Sequence, residues 1–278
     1  MMPLRETSSL SRRTRGLAAL VGLALLGCGG TPPQREPVGL TVYVPCVIAG
    51  PMRDVLTAYE TAHPQVEMAM DTDKPLALLA RVAESQEGPA AVITMGDVEM
   101  RWLAGAGAVT ASEVRTIAVN TYPLVVAAAA DGAAGVEDLA GLAGDGVAKI
   151  LLEGPAQSSL GDRAERGLKQ LGLWEEVGQK VVRPKPDDMV LAKVVDGDAD
   201  AAVLFRDCLF GDTDATQSVP KTLRVIAEIP ADTYPPIPYQ AAALTGAPQA
   251  EVARAFADFL VSPKGQAALA AAGLKPVD

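Results

Sequence analysis

From residue 40 onward, the chain alternates short apolar runs with amphipathic stretches. The run LTVYV at 40–44 has the apolar and β-branched composition of a buried strand. In the segment that follows, Met52, Val55 and Tyr59 recur at helical spacing, and Pro64 ends the pattern. This order recurs along the chain, so the sequence predicts strands that alternate with helices.

The same patterns predict the remaining elements. Further strands are predicted at 66–70, 90–95, 148–153, 180–183, 201–205, 223–229 and 239–244. Helices are predicted at 50–64, 71–84, 97–107, 158–172, 187–197, 248–262 and 263–273. The alternation comes in two runs, separated by the apolar segment NTYPLVVAAAA. We therefore expect an α/β protein with two lobes, each a mostly parallel sheet flanked by helices.

Residues 1–27 have the pattern of an export signal. Four arginines precede GLAALVGLALLG, a twelve-residue apolar run that is too short to span a bilayer comfortably. The run ends at LLGCGG, which resembles the box that directs lipid attachment to a cysteine. We expect a lipoprotein signal peptide at 1–27, lipidation at Cys28 and a Pro-rich tether at 28–38. A plain secretory signal or an uncleaved anchor is the alternative.

Charge excludes some partners. Without residues 1–27 the basic residues fall from 24 to 20 and the acidic ones from 34 to 33, a net charge of −13. Such an acidic chain is not expected to bind nucleic acid or anionic lipid through its surface. Membrane attachment must then come from the lipid, and we expect an exported, lipid-anchored protein that faces the periplasm or the cell exterior.

Two cysteines remain once Cys28 is assigned to the lipid. Cys46 follows the first predicted strand and Cys208 follows the strand at 201–205, in the other lobe. Ligands of open α/β sheets bind beyond the carboxyl ends of strands, so both cysteines are expected on a cleft rim. An oxidising compartment favours a disulfide. A soft-metal site with a thioether from Met189 or Met95 is the alternative, as are two free thiols.

Several stretches together resemble the periplasmic molybdate-binding proteins of ABC importers. The stretches that carry the resemblance are LTVYV with MRDVL, LLARV with GPAAVITMGD, GPAQSSLGDRAERGLKQLGLWEE, VVDGDADAAVLF and VARAFADFLVSPKGQAALAAAGLKP. The resemblance implies a type II periplasmic binding fold, with two lobes, a two-strand hinge and a cleft that closes on a small ligand. It further implies a first lobe at 39–120, a second lobe at 121–226 and a return to the first lobe at 227–278.

The resemblance also implies where a ligand would bind. The corresponding positions in this sequence are Cys46, Val47, Asp73, Ser158, Ser159, Leu160, Asp187 and Phe205. Several of them depart from the family pattern, since Val47 replaces a serine and Phe205 replaces a tyrosine. The loop from Ser158 to Leu160 keeps hydroxyls and helix amides suited to an anion.

Carboxylates stand close to these positions. Asp73, Asp187 and Asp188 are most simply interpreted as ordinary helix caps. A dianion beside them would be repelled by roughly 1 kcal/mol per close pair in a wet cleft. The residues therefore favour a soft metal at Cys46, Cys208 and Met189, while the family resemblance favours a molybdate- or tungstate-type oxyanion.

We expect a monomeric solute-binding protein without a cofactor, whose partners are a small inorganic ligand and the permease and ATPase of an importer. A sensor or scaffold lipoprotein without transport function is the other alternative. An enzyme is not expected, because the single His63 cannot complete a catalytic triad and no HExxH, CxxC or Gly-rich phosphate loop is present.

Overall fold

The structure is a computed structural model that describes residues 37–84, 90–210 and 219–277. Residues Glu36–Asp278 form one compact unit. The predicted signal peptide and Cys28 lie outside the described residues. Val38, at the end of the predicted tether, is already the first residue of a strand. In the part of the chain that is described, no helix combines the length and the apolar character needed to cross a membrane.

Ten strands and nine α-helices are found in the described residues. The strands are β1 (Val38–Pro45), β2 (Val66–Asp73), β3 (Ala90–Gly96), β4 (Arg115–Asn120), β5 (Leu124–Ala129), β6 (Ile150–Leu151), β7 (Val181–Val182), β8 (Ala201–Phe205), β9 (Leu223–Ile229) and β10 (Ile237–Ala243). The helices are α1 (Ala49–Ala62), α2 (Pro75–Glu84), α3 (Asp97–Gly105), α4 (Ser159–Gln170), α5 (Trp174–Val177), α6 (Val190–Val195), α7 (Asp207–Phe210), α8 (Ala250–Leu260) and α9 (Pro263–Ala271).

These strands form two five-stranded sheets. The first has the order β2-β1-β3-β10-β4 and the second the order β7-β6-β8-β5-β9. The predicted two-lobe α/β class is confirmed, and we call each sheet with its helices a lobe. In each sheet four strands run in the same direction and one runs against them, so the sheets are mixed but mostly parallel, as predicted. In the first lobe β10 runs antiparallel to both β3 and β4, and in the second β5 runs antiparallel to both β8 and β9. Each antiparallel strand is the one by which the chain enters that sheet from the other lobe.

Burial on both faces explains the composition of β1. Leu40, Val42 and Val44 are fully buried and belong to the large hydrophobic core. Tyr43, which points to the opposite face, belongs to a second core with α2 and α3 residues. Side chains alternate between the faces of a strand, so a strand covered by helices on both sides needs apolar residues at successive positions.

The apolar face of α1 is the one that its spacing predicts. Met52, Val55 and Tyr59 are at most 2% exposed. Tyr59 packs edge-on against Phe256 of α8, with ring centroids 4.9 Å apart. His63 closes the helix, where its Nδ1 is 3.0 Å from the Tyr59 carbonyl oxygen. This histidine thus has a structural role at the end of α1.

The chain passes between the two sheets twice, from β4 to β5 and from β9 to β10. The crossings lie near the lobe boundaries that the family resemblance implies, after residue 120 and after residue 226. Both lobes nevertheless belong to one compact unit. The residue bounds of the lobes and the hinge motion therefore stay predictions.

Tyrosine hydroxyls tie the two crossing segments together. The Leu124 backbone N–H donates to the Tyr234 hydroxyl at 3.0 Å, and this hydroxyl donates to the Tyr122 carbonyl oxygen at 3.2 Å. The Asn120 side-chain amide donates to the Tyr239 hydroxyl at 2.8 Å. Burial raises the pKa of Tyr234 to about 12, so this hydroxyl keeps its proton at neutral pH. The tyrosine hydroxyls that hold the two crossing segments thus stay protonated at neutral pH.

Candidate binding cleft

The two lobes meet along the segments that follow their parallel strands. In the first lobe these segments follow β1, β2 and β3, and in the second they follow β6 and β8. One direct contact across the cleft joins the Lys74 ammonium group, before α2, to the Asp188 carbonyl oxygen, before α6, at 2.7 Å. The cleft is therefore closed in this structure, with side chains of both lobes in contact.

The two cysteines predicted on the rim are in contact with each other. Cys46 begins a short 3₁₀ turn after β1, and Cys208 lies in α7, after β8. Their Sγ atoms are 3.3 Å apart, whereas a disulfide bond is about 2.05 Å long. Both thiols are free and partly buried. The structure thus places a pair of thiols, one from each lobe, at the centre of the closed cleft.

The surroundings of Cys46 and Cys208 shift the pKa values of the two thiols in opposite directions. The hydrogen bond from Cys208 lowers the pKa of Cys46, and the Val47 backbone N–H acts in the same direction, while burial and Glu153 oppose them. The pKa of Cys208 is raised well above its usual value by this hydrogen bond and by burial beside negative charges. Either thiol can donate the hydrogen bond while both are protonated. The opposite pKa shifts make Cys46 the thiol that ionises first, and Cys208 then donates to its thiolate.

A cavity lies on each side of the cysteine pair. We call the one of about 220 Å³ the Met189 cavity; its lining is mostly apolar and also includes Lys74 and Glu153. The other, of about 400 Å³, we call the Tyr122 cavity; Thr72 and Asp207 contribute polar groups to it. Both cavities are lined by Cys46 and Cys208. A small solute in either cavity would thus contact the sulfur atoms.

The predicted anion loop is folded onto the amino end of α4. Ser158 and Ser159 are fully buried. The Ser158 hydroxyl accepts a hydrogen bond from the Gly161 N–H at 3.1 Å, which caps the helix, and donates to the Glu153 carboxyl group. Burial raises the pKa of Glu153. Ser158 is therefore already engaged by an internal carboxyl group.

Ser159 is engaged by a carboxyl group from the other lobe. Its backbone N–H donates to Glu99 Oε1 at 2.8 Å, and its hydroxyl is hydrogen-bonded to Glu99 Oε2. The Val98 backbone N–H donates to the same hydroxyl at 3.1 Å. Glu99 is 1% exposed, and burial raises its pKa to about 7, although the hydrogen bonds from Ser159 act against the rise.

The apolar positions implied by the resemblance lie around the cysteine pair. Val47, Leu160 and Phe205 are each at most 5% exposed and belong to the large core. Leu160 and Phe205 line the Met189 cavity, and Val47 lines the Tyr122 cavity. Their buried side chains give the cleft apolar walls but no ligating groups.

The acidic positions are placed differently from the expectation of simple caps. Asp73 accepts hydrogen bonds from the Lys74 backbone N–H at 2.7 Å and from Arg81 at 2.5 Å. Asp188 accepts from the Lys185 N–H and pairs with Lys193. Asp187 is exposed. The interpretation of Asp187 and Asp188 as caps is wrong, because α6 begins after Met189 without a side-chain cap.

Met189 and Met95, the two methionines predicted near the cleft, differ in their exposure. Met189 is 66% exposed and lines the cavity named after it, so its thioether is available to a solute there. Met95 was expected on the rim, but this expectation is wrong: its side chain is fully buried in the core of the first lobe. It lies within β3, one residue before the strand ends, and its position in the pleat turns it away from the cleft.

Glu99 and Glu153 were not recognised as cleft residues from the sequence. Glu153 ends the predicted strand at 148–153, and Glu99 lies in the first turn of the helix after the strand at 90–95. An acidic residue in a first helical turn is common, because it suits the helix dipole. The available signal was therefore the position after a strand, which Cys46 and Cys208 share.

Few side chains of the described cleft are arranged together as metal ligands. Over 37–84, 90–210 and 219–277, no group of three or more His, Cys, Asp or Glu side chains is arranged to hold a metal ion. The cysteine pair with the neighbouring Met189 thioether is thus the set that could bind one, and such a set suits soft ions.

The sequence profile of a family described as bacterial extracellular solute-binding protein matches residues 40–275. The chain belongs to this family. The closed cleft between two α/β lobes is consequently the place where the solute-binding protein would hold its solute. The family is one of binding proteins and not of enzymes.

The proteins that this solute-binding protein resembles include ones that are named for different ligands. It is 24% identical over 250 residues to YvgL, a putative ABC transporter substrate-binding lipoprotein of Bacillus subtilis strain 168. The aligned region covers 88% of this chain and 91% of YvgL. The periplasmic molybdate-binding protein of Azotobacter vinelandii is 20% identical, with 86% of this chain and all of that chain covered and a TM-score of 0.60. Iron-bound HitA of Pseudomonas aeruginosa is 16% identical, with 84% of each chain covered and a TM-score of 0.52. At these identities the structural matches show the fold alone.

The thiol pair makes a prediction about reactivity. In a Cys28→Ser background, we expect Cys208→Ala to slow the alkylation of Cys46 severalfold at pH 7.5, because the hydrogen bond that stabilises its thiolate is lost. Cys208→Ser, which keeps a donor, is the matched control and should slow it less. Rates are measured by mass spectrometry under limiting iodoacetamide. Equal rates in both variants would contradict the assignment of Cys208 as the donor.

Proposed function

We propose that this solute-binding protein is the lipid-anchored receptor of an ABC importer, exported and held at the membrane through Cys28. Family membership supports extracellular solute binding, and the name of the Bacillus relative supports both the transporter and the lipid. The apolar run that ends at LLGCGG supports lipidation independently of any relative. The partners would be a permease and an ATPase. An adjacent permease gene would distinguish this role from that of a sensor or scaffold lipoprotein.

We further propose that the solute is a soft metal ion of the copper(I) class. One observation carries this proposal: sulfur atoms from opposite lobes, Cys46 and Cys208, lie 3.3 Å apart at the centre of the cleft. Thiolate and thioether ligands suit copper(I). Thiolates also bind zinc, but zinc sites usually take four ligands, more than two cysteines and one methionine supply. An ion bound by both sulfurs would link the lobes directly, as a receptor that closes on its solute requires.

Binding would need a small movement. With metal–sulfur distances of about 2.3 Å, as in zinc–thiolate sites, the sulfurs would be about 3.8 Å apart in a tetrahedral arrangement and about 4.6 Å apart in a linear one. The observed 3.3 Å is shorter than both. The lobes would therefore separate by about 1 Å to admit the ion, a movement that two crossing segments can supply.

The electrostatic environment suits a cation. The lowered pKa of Cys46 favours its thiolate form, and the neighbouring Glu153 adds negative charge when it is ionised. Because only a thiolate is a good metal ligand, binding by both sulfurs would release the Cys208 proton to solvent, and the monovalent ion would leave one net negative charge on the two sulfurs instead of two. Met189 would complete the coordination from the cavity side.

An oxyanion of the molybdate or tungstate type is the second candidate. It is favoured by the resemblance in sequence and by structural neighbours that include a molybdate-binding protein. The contacts of the anion loop speak against it, because Glu153 and Glu99 already occupy the hydroxyls of Ser158 and Ser159. A dianion about 4 Å from an ionised carboxylate there would be repelled by about 8 kcal/mol at an effective dielectric constant of about 20, twice the value for two unit charges.

A ligand panel tests the solute. With the Cys28→Ser protein under reducing conditions, we expect copper(I) and silver(I) at 100 times their dissociation constants to raise the melting temperature by about 5–10 °C, through selective binding to the folded state. Molybdate, tungstate, sulfate and zinc should have little effect. Cys46→Ser and Cys208→Ser should each abolish the shift, and Met189→Leu should reduce it.

The same panel can refute the proposal. A saturable shift with molybdate or tungstate that survives Cys46→Ser would establish the oxyanion instead. If the protein isolated without reductant contains no free thiols at Cys46 and Cys208, and copper(I) binds only outside the cleft, the pair would be a disulfide and the metal proposal would fail.

Lipidation has its own test. In a bacterial host that processes lipoproteins, we expect the wild-type protein to partition into detergent and to carry a diacylglyceryl group on Cys28. The Cys28→Ser variant should remain in the aqueous phase, because no thiol is available for acylation. Intact mass and phase partitioning measure both properties. A serine variant that is still acylated would refute the assignment.

A further inference from the structure

The amino ends of two helices face each other across the cleft. α3 begins at Asp97 in the first lobe, and α4 begins at Ser159 in the second. The Val98 and Ser159 N–H groups, both in first helical turns, point into the space between them and bond to groups of the opposite lobe. Two positive helix ends would repel each other unless negative charge lies between them. Asp97, whose pKa is lowered, supplies that charge, and Glu99 adds to it when it is ionised.

Glu99 is bound at the amino end of α4 in the manner of an anion. Its two carboxyl oxygens are bonded to the Ser159 backbone N–H and to the Ser159 hydroxyl. Its side chain is almost entirely removed from water. The salt bridges of the neighbouring Arg163 go to Asp97, at 2.9 Å, and to Asp162, at 2.6 Å. The partners found for the Glu99 carboxyl group are therefore a helix amide and a hydroxyl, as for a bound anion.

Gly96 shows how closely this contact is fitted. A Cβ atom on Gly96 would lie 2.2 Å from Ser159 Oγ and 2.6 Å from Glu99 Oε2, both far inside contact distance. The φ angle of Gly96 is −71°, which any residue can adopt, so backbone conformation does not require glycine here. Glycine is required because the serine of the other lobe and Glu99 occupy the space of a side chain.

We propose that the side-chain carboxyl group of Glu99 occupies the amino end of α4 when the cleft closes. It would thereby determine specificity, because it excludes oxyanions from that position. The proposal goes beyond the choice of solute, since it concerns which solutes are rejected. An internal carboxyl group competes at a very high effective concentration, because closure of the lobes brings it to the same amides each time.

The neighbouring charges agree with this role. Asp97 lies beside Glu99 but is neutralised by Arg163 and Arg101, which lower its pKa even though burial acts in the other direction. Glu153, on the second lobe, adds negative charge near Glu99 and contributes to the rise of its pKa. An oxyanion that displaced Glu99 would thus meet Glu153 and would leave a second carboxylate buried nearby. Exclusion is therefore reinforced from both lobes.

Removal of the Glu99 carboxyl group should create a binding site for a small carboxylate from solution. In the full chain with Cys28→Ser, we expect Glu99→Ala to acquire saturable binding of formate and acetate, seen as a rise in melting temperature of about 3–6 °C at tens of millimolar anion. Glu99→Gln fills the space and accepts from the Ser159 N–H, so it should show no such rise. Chloride at equal ionic strength corrects for general salt effects.

Two results would overturn the proposal. The first is a Glu99→Ala protein that folds but responds to formate and acetate no more than Glu99→Gln. The second needs no alanine variant: wild-type protein that binds sulfate, formate or molybdate saturably, with loss of binding in Ser159→Ala, would show that Glu99 does not exclude anions. Should Glu99→Ala fail to fold, Glu99→Ser leaves most of the same space and offers a hydroxyl to the Ser159 amide.

A glycine variant tests the fit of the same contact. Gly96→Ala should force Ser159 and Glu99 apart and make the protein measurably larger in solution scattering, since the lobes can no longer close fully. Gly105→Ala is the matched control, because a Cβ there meets no atom within 4 Å. Equal dimensions for both variants and the wild type would show that the contact does not hold the cleft closed, against the proposal.

Discussion

The proposed exclusion of oxyanions depends on the bond between the Glu99 carboxyl group and the amino end of α4, one of several contacts that join the two lobes. This bond satisfies a buried amide and a buried hydroxyl of one lobe with a side chain of the other. Without it, the Ser159 backbone N–H would be buried without a partner, at a cost of about 1–3 kcal/mol, whereas the hydroxyl would keep the Val98 N–H and Asp97 as partners. The absence of a side chain at Gly96 and the pairing of Arg163 with Asp97 both serve this contact.

Under the proposal, the same contact would disfavour the oxyanion that the family resemblance names first. The helix end that could bind an anion is filled by a residue of the protein, while the segments after β1 and β8 present two thiols to each other. Anion-binding groups and metal-binding groups thus come from equivalent places, beyond the carboxyl ends of strands. One set is occupied by internal carboxyl groups, and the other keeps atoms that can ligate a solute.

Much of the fold could be predicted because its determinants are local. Alternating strand and helix patterns gave the α/β class, and Met52, Val55 and Tyr59 marked the buried face of α1. The position of Cys46 and Cys208 after strands placed both on the cleft. The direction of β5 and β10 could not be predicted in this way, because an antiparallel neighbour in the sheet is set by where the chain re-enters the lobe and not by residues of the strand itself.

The site was predicted only in part, since its key contacts join distant residues. Glu99 and Ser159 are 60 positions apart, and each alone has an ordinary explanation as a first-turn residue of a helix. Ser158 and Ser159 were recognised as an anion loop, but the carboxyl groups of Glu153 and Glu99 that bond to them were not. Asp188 was interpreted as a cap, although it closes a turn onto Lys185 and pairs with Lys193. Such choices among possible partners depend on tertiary structure, which pattern and spacing do not encode.

The central claim is that the cleft holds a soft metal ion between thiols of the two lobes. X-ray absorption at the copper edge of the copper(I)-loaded protein tests it most directly, because the spectrum reports the elements bound to the metal. The account predicts a first shell of sulfur at about 2.3 Å, with two to three scatterers, that is lost in Cys46→Ser. A first shell of nitrogen or oxygen, or a sulfur shell unchanged by Cys46→Ser and Cys208→Ser, would contradict it.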